Sequence, residues 1–141
     1  MIQPARQDQE IERCFPVMRQ LRPHLRSETF VAAVRAQMAE GYQLAYLQED
    51  GAVACVAGFR LQRTLVAGRS LYVDDLATDE TTRSRGHGAA MMAWLRQLAI
   101  AEGCGEIHLD SGVQRHRAHR FYLNRNMDIV AHHFSEQLKH D

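Results

Sequence analysis

"RSRGHGAAMMAWL", residues 83–95, sets two glycines and three arginine or histidine side chains at the mouth of an unbroken apolar run. Downstream the register is helical. Met91, Trp94, Leu95 and Leu98 fall at i, i+3, i+4 and i+7, one face of a helix running from about Gly86 to Glu102. Gly103 is its natural stop. "RSLYVDDLAT" (69–78) before it and "EIHLDS" (106–111) after it read as strands. Strand, helix and strand make a βαβ unit, so the two strands should be parallel.

The flanking segments extend this unit. Residues 2–5 suggest a short opening strand. Residues 8–20 have helical spacing, with Ile11, Phe15 and Met18 on one face and Asp8 as N-cap. Arg22-Pro23 breaks that helix. Ser27-Glu28 opens a second, with Phe30, Val31, Val34 and Met38 on one face and Gly41 beyond its end. The period then changes. "YQLAYLQEDGAVACVAGFRLQR" (42–63) reads as two strands around Asp50-Gly51, a strong hairpin signal. With 69–78 these form an antiparallel meander. A further helix is expected over 115–125, and "MDIVAHHFSEQL" (127–138) should give one or two closing strands. The order βααβββαβαβ predicts an α/β (α+β) domain: a mixed, mostly antiparallel sheet with helices on both faces.

The 141 residues suggest one domain, 1–141, with one core. Seventeen basic and 17 acidic residues balance, which argues against a nucleic-acid binder. No apolar run approaches the ~20 residues that span a bilayer, and "MIQPARQDQE" lacks the apolar core of a secretory signal. Cys14, Cys55 and Cys104 form no CxxC pair, so reduced thiols and a cytoplasmic location are expected.

Glycine at a helix N-terminus lets a ligand approach free N–H groups and the positive end of the helix dipole. Arg83 and Arg85 add charge, a combination suited to pyrophosphate. The P-loop pattern fails for want of a lysine. The dinucleotide fingerprint GxGxxG fails at its third glycine, where Met91 stands. The pattern [Q/R]-x-x-G-x-[G/A] is met by Arg83-Ser84-Arg85-Gly86-His87-Gly88. With the strand before it and the helix, strand and helix after it, this resembles the acetyl-CoA loop of the GNAT superfamily of N-acetyltransferases. The resemblance covers nearly the whole chain.

That resemblance implies a central pair of parallel strands that splay apart to admit the acyl-pantetheine arm. Leu76, Ala77 and Thr78 match the positions whose backbone pairs with the arm. Arg83, Ser84, Arg85, Gly86, His87, Gly88 and Ala89 match the pyrophosphate cradle. Ala118-His119-Arg120-Phe121-Tyr122 matches the family's A-x-x-x-Y, making Tyr122 the general acid for the leaving thiolate. Two positions depart from the pattern: Arg115 stands where the family often has Asn, and Asn126-Met127 replaces its Gly-Phe. Asn tolerates the left-handed conformation, so the turn can survive.

The implied activity is acetyl transfer from acetyl-CoA to a primary amine. An ammonium has no lone pair, so a base or water relay is useful. Asp74 and Asp75 are consecutive carboxylates in a strand; alternation puts them on opposite faces unless a bulge intervenes. Asp75 is the preferred catalytic base, with Asp110 and Ser111 as alternatives. His116 and His119, and the adjacent His132 and His133, lack a carboxylate or cysteine to complete a recognisable metal site, so no metal is expected. The family's members often dimerise, which puts a homodimer among the expectations. A non-catalytic CoA- or acyl-CoA-binding sensor on the same fold is the alternative, and a nucleotide-binding domain a third reading. The acceptor amine is not legible.

Overall fold

In a computed structural model, residues 1–139 are described. Two compact units divide at Leu109–Asp110. The first holds β1 (Ile2–Pro4), α1 (Asp8–Leu21), α2 (Ser27–Met38), β2 (Tyr42–Glu49), β3 (Ala52–Thr64), β4 (Gly68–Thr78), a 3-10 turn (Glu80–Thr82), α3 (His87–Ala101) and β5 (Glu106–Leu109). The second holds α4 (His116–Asn124). The sheet order is β1-β2-β3-β4-β5, antiparallel except for the parallel β4–β5 pair. Mixed sheet, meander and βαβ unit all match the sequence reading.

Local chemistry accounts for the element ends. Asp50 (φ 53°) and Gly51 (φ 79°) form the two-residue turn joining β2 to β3. α1 begins one position earlier than expected: Gln7, not Asp8, is its N-cap. The Glu10 carboxylate accepts from the backbone N–H groups of Gln7 (2.9 Å) and Arg6 (3.0 Å). α3 ends in a Schellman motif: left-handed Gly103 sends its N–H to Ile100 O (3.1 Å), and Cys104 sends its N–H to Ala99 O (2.9 Å).

The core lies on both sides of the sheet. On one face Tyr42, Leu44 and Tyr46 of β2 and Val56 of β3 pack with Ile11, Cys14, Phe30 and Val34 from α1 and α2. Ala45 and Leu47 alternate to the other face, as do Phe59, Val73 and Leu71. There Phe59 meets Trp94 of α3 edge-on at 6.2 Å between centroids. β3 is buried almost continuously from Val53 to Phe59, as a strand covered on both faces must be.

One irregularity governs everything downstream. Gly58 pairs with Asp75, but Phe59 pairs with Val73, so Asp74 is an extra residue bulged out of β4. The ladder to β5 spans only Ser70 to Val73 and stops at the residue before the bulge. Residues 74–78 continue β4 with β3 as the only partner strand among the described residues.

In the second unit, Asn126 (φ 64°) closes α4 in the same Schellman geometry. Its N–H reaches Leu123 O (3.1 Å) and that of Met127 reaches Tyr122 O (3.2 Å). The expected closing strands over 127–138 are absent: residues 127–139 form no strand, and Ile129, Val130, Phe134 and Leu138 are exposed. The β-rich pattern there is real, but a strand exists only as one side of a ladder, and propensity alone does not supply the other. β5 likewise ends at Leu109, two residues short of the expected strand.

Candidate active site

The bulge turns two consecutive carboxylates toward one face. Asp74 Oδ2 accepts from Arg60 Nε at 2.8 Å. Asp75 Oδ1 accepts from Arg22 Nε at 3.0 Å, and Asp75 Oδ2 accepts from the Tyr42 hydroxyl at 2.8 Å. Arg22 also donates to the Asp74 carbonyl at 3.0 Å. Tyr42 lies flat across Gly58, and the Arg60 guanidinium stacks over its ring at 5.5 Å. Burial, and then the Asp75 charge, push the Tyr42 hydroxyl well above its ordinary value, so it stays a donor. Both Asp75 oxygens are therefore engaged.

Beyond Thr78 the chain is anchored before it turns. Asp79 takes its N–H to Ala54 O (2.8 Å). Its carboxylate accepts from Gln20 Nε2 of α1 (3.0 Å) and from the Thr81 hydroxyl (2.8 Å). Those bonds, Gln20 first, hold the carboxyl below its ordinary range. The loop then uses two left-handed residues, Ser84 (φ 75°) and Gly86 (φ 82°). Gly86 is the N-cap of α3 and offers no capping side chain, and the first turn carries no acid. The first intrahelical bond runs from Ala90 N–H to Gly86 O at 3.0 Å. The N–H groups of His87, Gly88 and Ala89 consequently lack an intrahelical partner. A Cβ on Gly86 would meet nothing within 4 Å among the described residues, so there is room at this point of the helix end. Room at Gly86, free donors and a dipole end fit an anionic diphosphate.

The two loop arginines differ. Among the described residues, no hydrogen bond or ion pair engages exposed Arg83. Arg85 is instead held by Glu49 at the end of β2, Nη1 to Oε1 at 2.9 Å. Glu49 Oε2 meets His87 Nε2 at 3.0 Å. His87 is buried, 6% exposed, and its Nδ1 has no partner among the described residues.

Leu76, Ala77, Thr78, Arg83 to Ala89 and Asp75 thus share one strand–loop–helix segment of the first unit. Tyr122 stands on α4 in the second, half-buried, its ring edge-on to Phe121 at 5.4 Å. Burial raises its hydroxyl above the ordinary value, opposed by Arg115. His119 Nε2 lies 2.7 Å from Gly112 O, and Asp110 pairs with His133 at 2.8 Å. Among the described residues, no three His, Cys, Asp or Glu side chains gather as metal ligands. Sequence reasoning missed Tyr42, Gly58 and Glu49, and did not pair Arg22 with Asp75. All act across the sheet or from a helix end far along the chain; only the glycine inside an apolar strand carries a signal, that of close approach.

Comparison with known proteins bears on the family and the fold. A family model described as "Acetyltransferase (GNAT) family" matches residues 7–127. The uncharacterized N-acetyltransferase YhdJ of Bacillus subtilis (strain 168) is 33% identical over 112 residues, covering 79% of each chain. Aminoglycoside N-acetyltransferase AAC(6')-Iy, solved in complex with CoA, superposes with a TM-score of 0.85. The match covers 97% of this chain and 93% of that one, at 13% identity. A transcriptional regulator from Bacillus halodurans C-125 also reaches 0.85, at 19% identity over 98% and 99%. At such identities the solved structures speak for the fold alone, and the fold by itself does not fix the chemistry.

Proposed function

The chain belongs to the GNAT acetyltransferase family, and from that premise we propose that it transfers an acetyl group from acetyl-CoA to a primary amine of a small molecule, peptide or protein, by direct attack on the thioester. The observation that carries this reading is the end of β4. Among the described residues its edge has no partner strand where the β5 ladder stops, and it leads through a turn and a short loop to a helix N-terminus with free donors. In this reading the open backbone at Leu76, Ala77 and Thr78 receives the pantetheine arm. Arg83 and the N–H groups of His87, Gly88 and Ala89 hold the pyrophosphate, with Ser84, Arg85 and Gly86 shaping the cradle.

At pH 7 only about one in 2,500 lysine-like amines is neutral, so deprotonation precedes attack. Asp75, or water ordered by it, takes that proton. The amine nitrogen bonds to the carbonyl carbon, the C–S bond breaks as Tyr122 protonates the departing sulfur, and the second nitrogen proton passes through water to the Tyr122 phenolate, leaving the neutral amide. Burial raises the Tyr122 hydroxyl, which carries its proton at neutral pH as an ordinary tyrosine does. We place the reaction in the cytoplasm, in keeping with the free thiols of Cys14, Cys55 and Cys104, and in a homodimer.

The test is a thiol-release screen of diverse amines with acetyl-CoA. Arg83→Ala should raise KM for acetyl-CoA about ten-fold, the worth of a charge-assisted contact. Tyr122→Phe should lower kcat about 100-fold with little change in KM. If neither parameter moves, these roles are wrong. One observation favours a second reading, a non-catalytic CoA sensor: both Asp75 oxygens are already engaged. That reading predicts CoA binding with no thiol release for any amine.

A further inference from the structure

Glu49 is a carboxylate beside a site built for an anion, where simple electrostatics would exclude one. It is nonetheless fixed there. As the last residue of β2 it pairs with Ala52, next to the tight Asp50-Gly51 turn, so its backbone cannot drift. Alternation from Ala45 and Leu47 points it to the face that α3 covers. Its two oxygens grip one residue on each side of left-handed Gly86: Arg85 before it at 2.9 Å, His87 after it at 3.0 Å. Facing a carboxylate, His87 Nε2 is the nitrogen that donates, and Nδ1 has no partner among the described residues. His87 and Arg85, in that order, hold the Glu49 carboxyl below its ordinary range. The segment so gripped needs a restraint, because Ser84 occupies the left-handed region without being glycine.

We propose that Glu49 is a positioning residue for cofactor binding: its carboxylate clasps Arg85 and His87 and thereby sets the loop so that the α3 N–H groups converge on the pyrophosphate. Arg85 then serves as the clasp's other half, and Arg83 is the arginine left for the phosphates. This inference rests on the proposed reading of the α3 N-terminus as the CoA site, and it makes a prediction opposite in sign to simple charge repulsion. Removing a negative charge near an anion site should tighten binding; releasing the clasp should weaken it.

The experiment compares wild type, Glu49→Gln, Arg85→Gln and the double variant by calorimetric titration with CoA, by acetyl-CoA kinetics and by hydrogen exchange at residues 84–89. Loss of a charge-assisted contact predicts that Glu49→Gln raises Kd for CoA and KM for acetyl-CoA about ten-fold, with kcat within about two-fold. Exchange at 84–89 should quicken by about the same factor while the amides of β3 are unchanged. Arg85→Gln should do likewise, and the double variant should add little to either single. Equal or tighter CoA binding by Glu49→Gln, or unchanged exchange at 84–89, overturns the proposal. Wild type that binds no CoA overturns the site reading instead, while the exchange comparison still decides whether Glu49 holds the loop. If Glu49→Gln fails to fold, Arg85→Gln, altered at an exposed side chain, carries the same expectations.

Discussion

An alanine at Gly58 would place its Cβ 1.8 Å from the Tyr42 hydroxyl, 2.3 Å from Cζ and 2.6 Å from Cε1. To reach even a tight contact of 3.0 Å the ring must retreat by more than an ångström. It cannot do so freely. The hydroxyl is bonded to Asp75 at 2.8 Å, Arg60 lies over the ring, and the residue is 7% exposed. Overpacking of this kind costs about 1–3 kcal/mol. Losing a buried hydroxyl–carboxylate bond costs about 1.5–3 kcal/mol more. The Gly→Ala change in a strand returns about 0.5–1 kcal/mol. A net loss of about 3 kcal/mol follows, which for a chain of this length lowers Tm by roughly 10 °C. Urea denaturation of a double-mutant cycle tests the cause as well as the size. In a Tyr42→Leu background the obstructing atoms are gone, so Gly58→Ala should cost nearly nothing there, giving a coupling of about 3 kcal/mol. Equal destabilisation in both backgrounds, or under about 1 kcal/mol in the wild type, would refute the reasoning.

Further outcomes are expected elsewhere in the molecule. Gly86→Ala has room for its Cβ but must hold φ 82°, so it should cost about 1–2 kcal/mol in chemical denaturation while raising KM for acetyl-CoA. Glu10, Glu49 and Asp79 all have carboxyls lowered by donors from the folded chain, Glu10 chiefly by the Gln7 N–H. Their stabilisation is complete above the ordinary values of 4.5 and 3.8 and is lost as pH falls through the lower folded values. The melting temperature should accordingly be flat from pH 7 to about 5 and drop below about 4. Burial pushes the Cys14 thiol up to about 12 and Cys55 up to about 11. Iodoacetamide at pH 8 should therefore label native protein at Cys104 alone, as peptide mapping would read; early labelling of Cys14 would contradict its burial.

What could be read along the chain, and what could not, divides by sequence separation. α3, its glycine mouth and its Gly103 stop depend on neighbours a turn away, and so they were legible. So was the Asp50-Gly51 hairpin. Asn126 could be assigned its left-handed turn because that preference belongs to the residue itself. The closing strands were misjudged because 127–138 has the pattern of a strand without a ladder to join. Glu49 lies 36 residues from Arg85, and Tyr42 lies 33 from Asp75; nothing local to either end announces the other.

The Asp74-Asp75 pair shows how much a single unit of register decides. By alternation alone, one carboxylate would face α3 and the other α1. With Asp74 as the extra residue, both reach the side of α1 and α2, where Arg60, Arg22 and Tyr42 wait for them. A bulge also bends and twists its strand, and the β5 ladder ends at Val73, immediately before it. One inserted residue thus accounts for two features that sequence reasoning treated as separate: the open edge over 74–78 and the clustering of the acids. Deleting Asp74 should undo both together. Val73 would then be followed by a carboxylate in regular register, and the ladder to β5 could extend past Leu109 into the edge assigned to pantetheine. The loss of CoA binding in such a deletion would exceed that of Asp74→Ala, which removes the side chain and keeps the bulge. If the two variants bind CoA alike, the carboxylate matters and the bulge does not.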